Sequence, residues 1–315
     1  MKVAISAIIA AQFVAALMIE AFSGFRYSPP WLFYLLGASG MIVLSLAGLT
    51  FFWLAQLEQA KVMNKREIVL ARLKSSDLPF IYWAVAAQFC LLGWLKAAMP
   101  FSVGFQADQL LADADAWIFF GTDPWRLVQW LPPTLIDWAY VTWAQSTLFM
   151  MAILPLFPKS QKRDRAMTSF FLVVSASAIL QYALPSAGPI FYDRLGFGDR
   201  FADLPSRPWA TITADYLWAN YLDNGSRVGA GISAFPSLHV AGAAWVAAVV
   251  TSYSRWLAPV AWTYFVLILM GSVFLGWHYA LDGIAGLVIA LIMFRVVSLV
   301  PNRQARPGLA TEAGD

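Results

Sequence analysis

Histidine and cysteine are nearly missing from this 315-residue chain, and charge is scarce. The one cysteine, Cys90, excludes an internal disulfide and leaves the redox compartment open. Only 12% of residues are charged and 60% are hydrophobic, which excludes the ordinary soluble domains that the length alone would suggest. A formal net charge of +3 is too small, and too unevenly placed, for a nucleic-acid partner. No internal repeat or low-complexity stretch is present. What the chain does have is apolar sequence in runs of about twenty residues, each long enough to cross ~30 Å of hydrocarbon.

The expected fold is therefore all-α, a polytopic membrane protein. About eight transmembrane helices are expected near 3–22, 31–57, 80–99, 136–157, 167–186, 235–254, 257–277 and 281–300. The first is read as a span, not a cleaved signal peptide. The fifteen tryptophans and eleven tyrosines suit the two water–lipid interfaces. Lys61, Lys65, Arg66, Arg72 and Lys74 fill the second loop, and Lys159, Lys162, Arg163 and Arg165 the fourth. Arg255 marks the sixth loop, and Arg303 and Arg306 the tail. Cytoplasmic loops favour lysine and arginine, so these segments and both termini are expected inside. The tail, 301–315, is small and polar and is expected to be disordered.

Segments 100–135 and 187–234 then face out. The first carries Asp108, Asp113, Asp115 and Asp123 against Arg126. Its apolar patches around 116–120 and 125–131 read as short helices lying on the membrane. Asp113 and Asp115 read either as solvated loop charges or as partners for a sugar or inositol hydroxyl.

Both histidines sit in polar interruptions of apolar sequence, Ser233-Ala-Phe-Pro-Ser-Leu-His239 and Gly276-Trp-His278-Tyr-Ala-Leu-Asp282. The expected topology places all three groups, His239, His278 and Asp282, at one depth on the outer face. Histidine is the side chain best placed to exchange a proton near neutral pH. Pro236 fits a first helical turn, so Ser237 and the amides after it would face outward as a cradle for phosphate oxygens. His278 and Asp282 are four apart and share a helical face, where the carboxylate can hold one ring nitrogen and leave the other nucleophilic. Asp282 can equally cap the last helix. Arg194, Arg200, Arg207 and Arg227 supply counter-charge from the outer loop, and the planar fork of arginine matches phosphate. Alternatively they are solvated and balanced by Asp193, Asp199, Asp203 and Asp223. Lys96, near the outer end of the third span, either snorkels to the interface or points into the site.

Phe235-Pro-Ser-Leu-His239 and His278-Tyr-Ala-Leu-Asp282 resemble the second and third signature blocks of the type 2 phosphatidic acid phosphatase superfamily. Arg200-x6-Arg207-Pro208 resembles the first block, with arginine in place of the usual lysine. Pro185-Ser-Ala-Gly-Pro-Ile-Phe-Tyr192, and Leu238 where glycine is usual, are most similar to the inositol phosphorylceramide synthase branch, which acts on sphingolipid. The resemblance implies a six-helix catalytic core over 80–300, with 1–79 adding two accessory helices and a basic cytoplasmic loop.

It also implies a mechanism without metal or cofactor. His278 would attack phosphorus to form a phosphohistidine, Asp282 would orient it, and His239 would protonate the leaving oxygen. Ser237, Arg194, Arg200, Arg207 and Lys96 would hold the phosphoryl oxygens. The donor would be a lipid phosphate or phospholipid, and the acceptor a lipid alcohol or water. In the phosphatase branch an arginine stands six residues before the block-three histidine; here that position is Ser272, which favours transfer to a lipid alcohol over hydrolysis. A non-enzymatic transporter or scaffold is the reading from another class, but transporters place their polar groups near mid-membrane.

Overall fold

Backbone surrounded by hydrocarbon must satisfy its own hydrogen bonds, and among the described residues helix is the regular structure throughout. The computed structural model describes residues 1–59, 64–74, 77–225, 227–229 and 231–299. Lys61, Arg303, Arg306 and the tail 301–315 lie outside them, as do the side chains of Arg72 and Lys74.

The helices in chain order are α1 (Lys2–Ser23), α2 (Trp31–Gln59), α3 (Lys65–Lys74), α4 (Leu78–Val103), α5 (Asp108–Ile118), α6 (Pro124–Leu127), α7 (Pro133–Val141), α8 (Trp143–Ile153), α9 (Gln161–Leu180), α10 (Pro208–Leu222), α11 (Leu238–Tyr253), α12 (Ala258–Phe274) and α13 (Ala280–Leu299). Five stretches are long and apolar enough to cross a membrane: α1, α2, α4, α7 with α8, and α13. Helices α11 and α12 are apolar but shorter. Helix α9 opens on Lys162, Arg163, Asp164 and Arg165 and stops at Leu180, before Pro185, Gly188 and Pro189, not at 186 as expected. So five of the eight expected spans meet the requirement by length and composition. On the outer surface of α1 and α2, Leu17, Phe22, Leu32, Phe33, Leu44 and Phe51 are exposed, as lipid-facing side chains would be.

Helix α11 sits in the middle, packed on α8, α9, α12 and α13. Its buried run includes Ala241, Gly242, Ala243, Ala244, Ala247 and Ala248. Such small side chains let helix backbones approach closely, which is the main packing route where lipid offers no hydrophobic drive. The closest approach is to α13: a Cβ on Gly286 would lie 2.5 Å from the Ser237 carbonyl oxygen. Helices α1 and α2 lie against α4, and α1 also touches α9.

Two ends of this bundle differ in chemistry. At one end the buried Asp77 carboxylate meets Arg163 Nη2 at 2.9 Å, Lys2 Nζ at 2.9 Å and Lys159 Nζ at 3.6 Å, tying α1, α4 and α9 together. The histidines lie at the other. Along α4 the step from Asp77 to Lys96 corresponds to about 28 Å of helix rise, close to one hydrocarbon thickness.

Candidate active site

Residues 234–241 and 276–283 are brought together by the start of two helices. Ser237 caps α11, its Oγ accepting the Val240 N–H at 3.3 Å. Pro236 therefore stands before the cap and not in the first turn, and the Ser237 hydroxyl is fully buried and engaged in capping. The Ser237 N–H donates to the Asp282 carbonyl at 2.9 Å, which joins the two helix starts directly.

Within that junction the histidines face each other, with His239 Nδ1 2.8 Å from His278 Nε2. His278 Nδ1 lies 2.9 Å from the Ala234 carbonyl, which only accepts, so a neutral His278 carries its hydrogen on Nδ1 and leaves Nε2 bare. The network then puts a hydrogen on His239 Nδ1, shared between His278 Nε2 and the Tyr140 hydroxyl oxygen at 2.8 Å. Trp143 closes the far side of His239, ring to ring at 4.1 Å. Neither Tyr140 nor Trp143 stands out in sequence from the apolar span around it.

The ring nitrogen expected to rest on Asp282 thus hydrogen-bonds Ala234, while the Asp282 carboxylate is 3.6 Å away. Asp282 Oδ2 accepts the Tyr279 N–H at 2.9 Å, a side chain in the third helical position reaching back to the cap. Asp282 is thus not the N-cap residue anticipated but a first-turn residue that caps the helix from its third position, with its carboxyl group 3.6 Å from His278 Nδ1. His278, in the turn between α12 and α13, is held below the ordinary imidazole range by burial first and by the Lys96 ammonium second.

The turn carrying His278 is fastened from outside by α5. Asp115 accepts the N–H groups of Ala280 at 2.6 Å and Leu281 at 3.0 Å. Asp108, fully buried, accepts from Ala187 N–H, Gly188 N–H and the Tyr279 hydroxyl at 2.8–2.9 Å. Gly188 is required there: at φ 102° a Cβ would lie 2.5 Å from the Trp277 carbonyl oxygen. Burial raises both carboxyl groups, Asp115 to about 6, against the lowering effect of the amides they accept from. Neither aspartate is the solvated loop charge expected for Asp115. They are seven apart, one face of a helix whose other face exposes Leu110 and Trp117, and that spacing was visible in sequence.

A cavity of about 190 Å³ opens beside the histidines. Lys96 and Gly93 of α4, Tyr34 of α2, Ser177 of α9 and Gln181 line it with His239 and His278. Lys96 therefore points into the site, and among the described residues no carboxylate lies within ion-pair distance of it. The loop crossing it needs glycine at 231, where a Cβ would lie 2.3 Å from Lys96 Cβ. Phe89 and Leu92 continue the lining down the Lys96 face of α4.

The three arginines expected at phosphate do not line this cavity. Arg200 reaches Asp113 at 2.7 Å and Asp123 at 2.8 Å, Arg207 is paired with Asp137, and Arg194 meets Asp215 at 2.5 Å. Arg194 and Arg207 line a second cavity with Pro189, Leu204 and Leu275, behind the 275–278 turn. Arg227 pairs with Asp223 at 3.5 Å, the balanced arrangement anticipated for that loop.

No curated protein and no solved structure matches the chain. The family model of the PAP2 superfamily matches residues 109–296, more than half of the chain, with both histidines, Asp115 and Asp282 inside the match and Tyr34 and Lys96 outside it. On that match the chain belongs to the PAP2 superfamily.

Proposed function

We propose that this protein moves a phospho-head-group from a membrane lipid to a lipid alcohol through a phosphohistidine on His278. The observation that carries the reading is the bare Nε2 of His278 facing Nδ1 of His239 at 2.8 Å, on the wall of a cavity that also holds Lys96. A phosphate diester or monoester entering the cavity supplies counter-charge for Lys96 and for a protonated His239. The phosphoryl group replaces the direct contact between the two rings. Nε2 forms the N–P bond, the P–O bond to the leaving alcohol breaks, and the His239 Nδ1 hydrogen passes to the leaving oxygen. His239 ends neutral with its remaining hydrogen on Nε2. The incoming alcohol gives its proton back to Nδ1 as its oxygen takes the phosphoryl group from His278. Lys96 is the cation that neutralises the phosphoryl oxygens, and positioning plus charge neutralisation is most of what phosphoryl transfer requires. Arg194, Arg200 and Arg207 join only on leaving their aspartates.

Transfer over hydrolysis is supported by the apolar continuation of the cavity along Leu92 and Phe89, which suits a lipid acceptor, and by Ser272 standing where the phosphatase branch carries an arginine. Water in place of the alcohol turns the same residues into a lipid phosphate phosphatase. The basic cluster around Asp77, about 28 Å along α4 from Lys96, supports a cytoplasmic position for that end and both termini. The histidines then lie on the extracytoplasmic face, with α9, α11 and α12 completing eight crossings.

Purified protein in vesicles, given a phospholipid donor and a long-chain alcohol, tests the reading. New phospholipid from wild type and none from His278→Ala is expected. Equal product from both defeats any enzymatic reading, and release of the water-soluble head-group phosphate with no new phospholipid turns the reading to hydrolysis.

A further inference from the structure

Serine inside a helix ordinarily bonds a carbonyl one turn back. Along α9, Ser169 does so toward Ala166 at 2.9 Å and Ser175 toward Phe171 at 2.6 Å. Ser177 does not. Its hydroxyl is buried, only 4% of the residue being exposed, and has no hydrogen-bond partner among the described residues. It lines the histidine cavity. Gln181, one turn on and 2% exposed, lines the same wall; its Nε2 is committed to the Ala178 carbonyl at 3.0 Å, which leaves Oε1 as an acceptor. Across from α9, α2 contributes Tyr34 to the lining. A buried hydroxyl without a partner costs on the order of 1–3 kcal/mol, so its persistence at a cavity wall points to a ligand that satisfies it.

The chemistry of the wall limits that ligand. No carboxylate lines the cavity among the described residues, and Lys96 supplies a positive charge. An ammonium-bearing head group would meet like charge and no counter-ion. Hydroxyls, by contrast, can donate to Gln181 Oε1 and both donate to and accept from Ser177 Oγ. We infer that Ser177 and Gln181 form a subsite for an uncharged, hydroxyl-bearing group esterified to the phosphate that Lys96 holds. This rests on the reading of the cavity as the phosphate site. Ser177 and Gln181 lie inside the superfamily match, and Tyr34 and Lys96 outside it.

Two water-soluble esters separate the hydroxyl from the phosphate: glycerol 1-phosphate, and n-propyl phosphate, which has the same carbon chain without the free hydroxyls. Binding of each to the full-length His278→Ala protein in detergent, measured calorimetrically, avoids turnover. The expected result is glycerol 1-phosphate about tenfold tighter, roughly what one well-made hydrogen bond supplies. Adding Ser177→Ala brings the two within about twofold, while Lys96→Met in place of it weakens both alike and keeps their ratio. Equal affinities in the His278→Ala protein, or a preference that survives Ser177→Ala, overturns the inference while leaving the phosphate reading intact. Failure of both probes to bind overturns the inference and the phosphate reading together.

Discussion

Nδ1 of His239 lies 2.8 Å from Nε2 of His278, so on the proposed mechanism the ring that acts as acid covers the attacking nitrogen at rest. The two substitutions should therefore fail differently. His278→Ala removes the nucleophile and should abolish turnover on every substrate. His239→Ala removes the proton donor of the first step and the proton acceptor of the second, and should cost roughly 10²–10⁴-fold with an alkyl leaving group. A p-nitrophenyl ester, whose leaving oxygen needs no proton, should recover most of that loss in the first step, read as a burst of p-nitrophenolate, in His239→Ala and none in His278→Ala. Comparable losses on the two leaving groups for His239→Ala would contradict its role as acid.

Lys96 faces the cavity without a carboxylate, whereas Arg207 is held by Asp137 and Arg200 by Asp113 and Asp123. Lys96→Met should lower kcat/KM on the order of 10²-fold, since a charge placed at developing phosphoryl negative charge is worth several kcal/mol in a site shielded from water. Arg207→Ala should cost a few-fold in kcat/KM and show itself mainly in thermal stability. Steady-state kinetics and melting curves on the two variants check the ranking, and a larger kcat/KM loss for Arg207→Ala would reverse it.

Burial, then the Lys96 ammonium, holds His278 below the ordinary imidazole value of 6.5. On the proposed mechanism the neutral ring attacks, so activity should persist as pH falls past 6.5 and be lost only in more acidic solution. The same depression means that the folded state binds this proton more weakly than the unfolded chain. Its contribution to stability is present above 6.5 and is lost as pH falls toward the folded value. Lys96→Met removes the second cause, so the acid limb of kcat/KM should move up toward 6.5. An acid limb already at 6.5 in wild type would show the depression to be absent in solution.

What could be read from the sequence follows what is local. The two histidine blocks are short, and each helix start carries its own signal: Ser237 as cap, Asp282 in the first turn. Lys96 was visible as a charge out of place in an apolar run. The arginines were visible as phosphate ligands or as charges balanced within their own loop, as Arg227 is by Asp223, but the partners of Arg194 and Arg200 lie 21 and 87 residues away. Five of the eight expected spans are long and apolar enough to cross; α9 falls short because four charged residues open it and proline and glycine follow it. The His278–Ala234 contact is a side chain on a backbone carbonyl 44 residues away, and no residue type advertises a carbonyl.

Asp115 gives the last test, because its distance from chemistry separates positioning from catalysis. Among the described residues its carboxylate hydrogen-bonds the backbone N–H groups of Ala280 and Leu281, two and three residues after His278. These are among the first amides of α13 and have no partner within the helix. Asp115→Ala should orphan both, costing on the order of 1–3 kcal/mol, and let the His278 turn shift. Since a misplaced nucleophile reduces the chemical step and not lipid binding, kcat should fall about tenfold or more with KM little changed. Burial raises Asp115 to about 6, so the folded state takes up this proton more readily than the unfolded chain. Stability from this group is lost as pH rises through about 6, opposite in sign to His278, and Asp115→Ala should remove that component from the pH dependence of melting. Faster amide exchange across 279–282 in the variant, together with the kcat loss, identifies α5 as the clamp on the catalytic turn; unchanged exchange there would refute it.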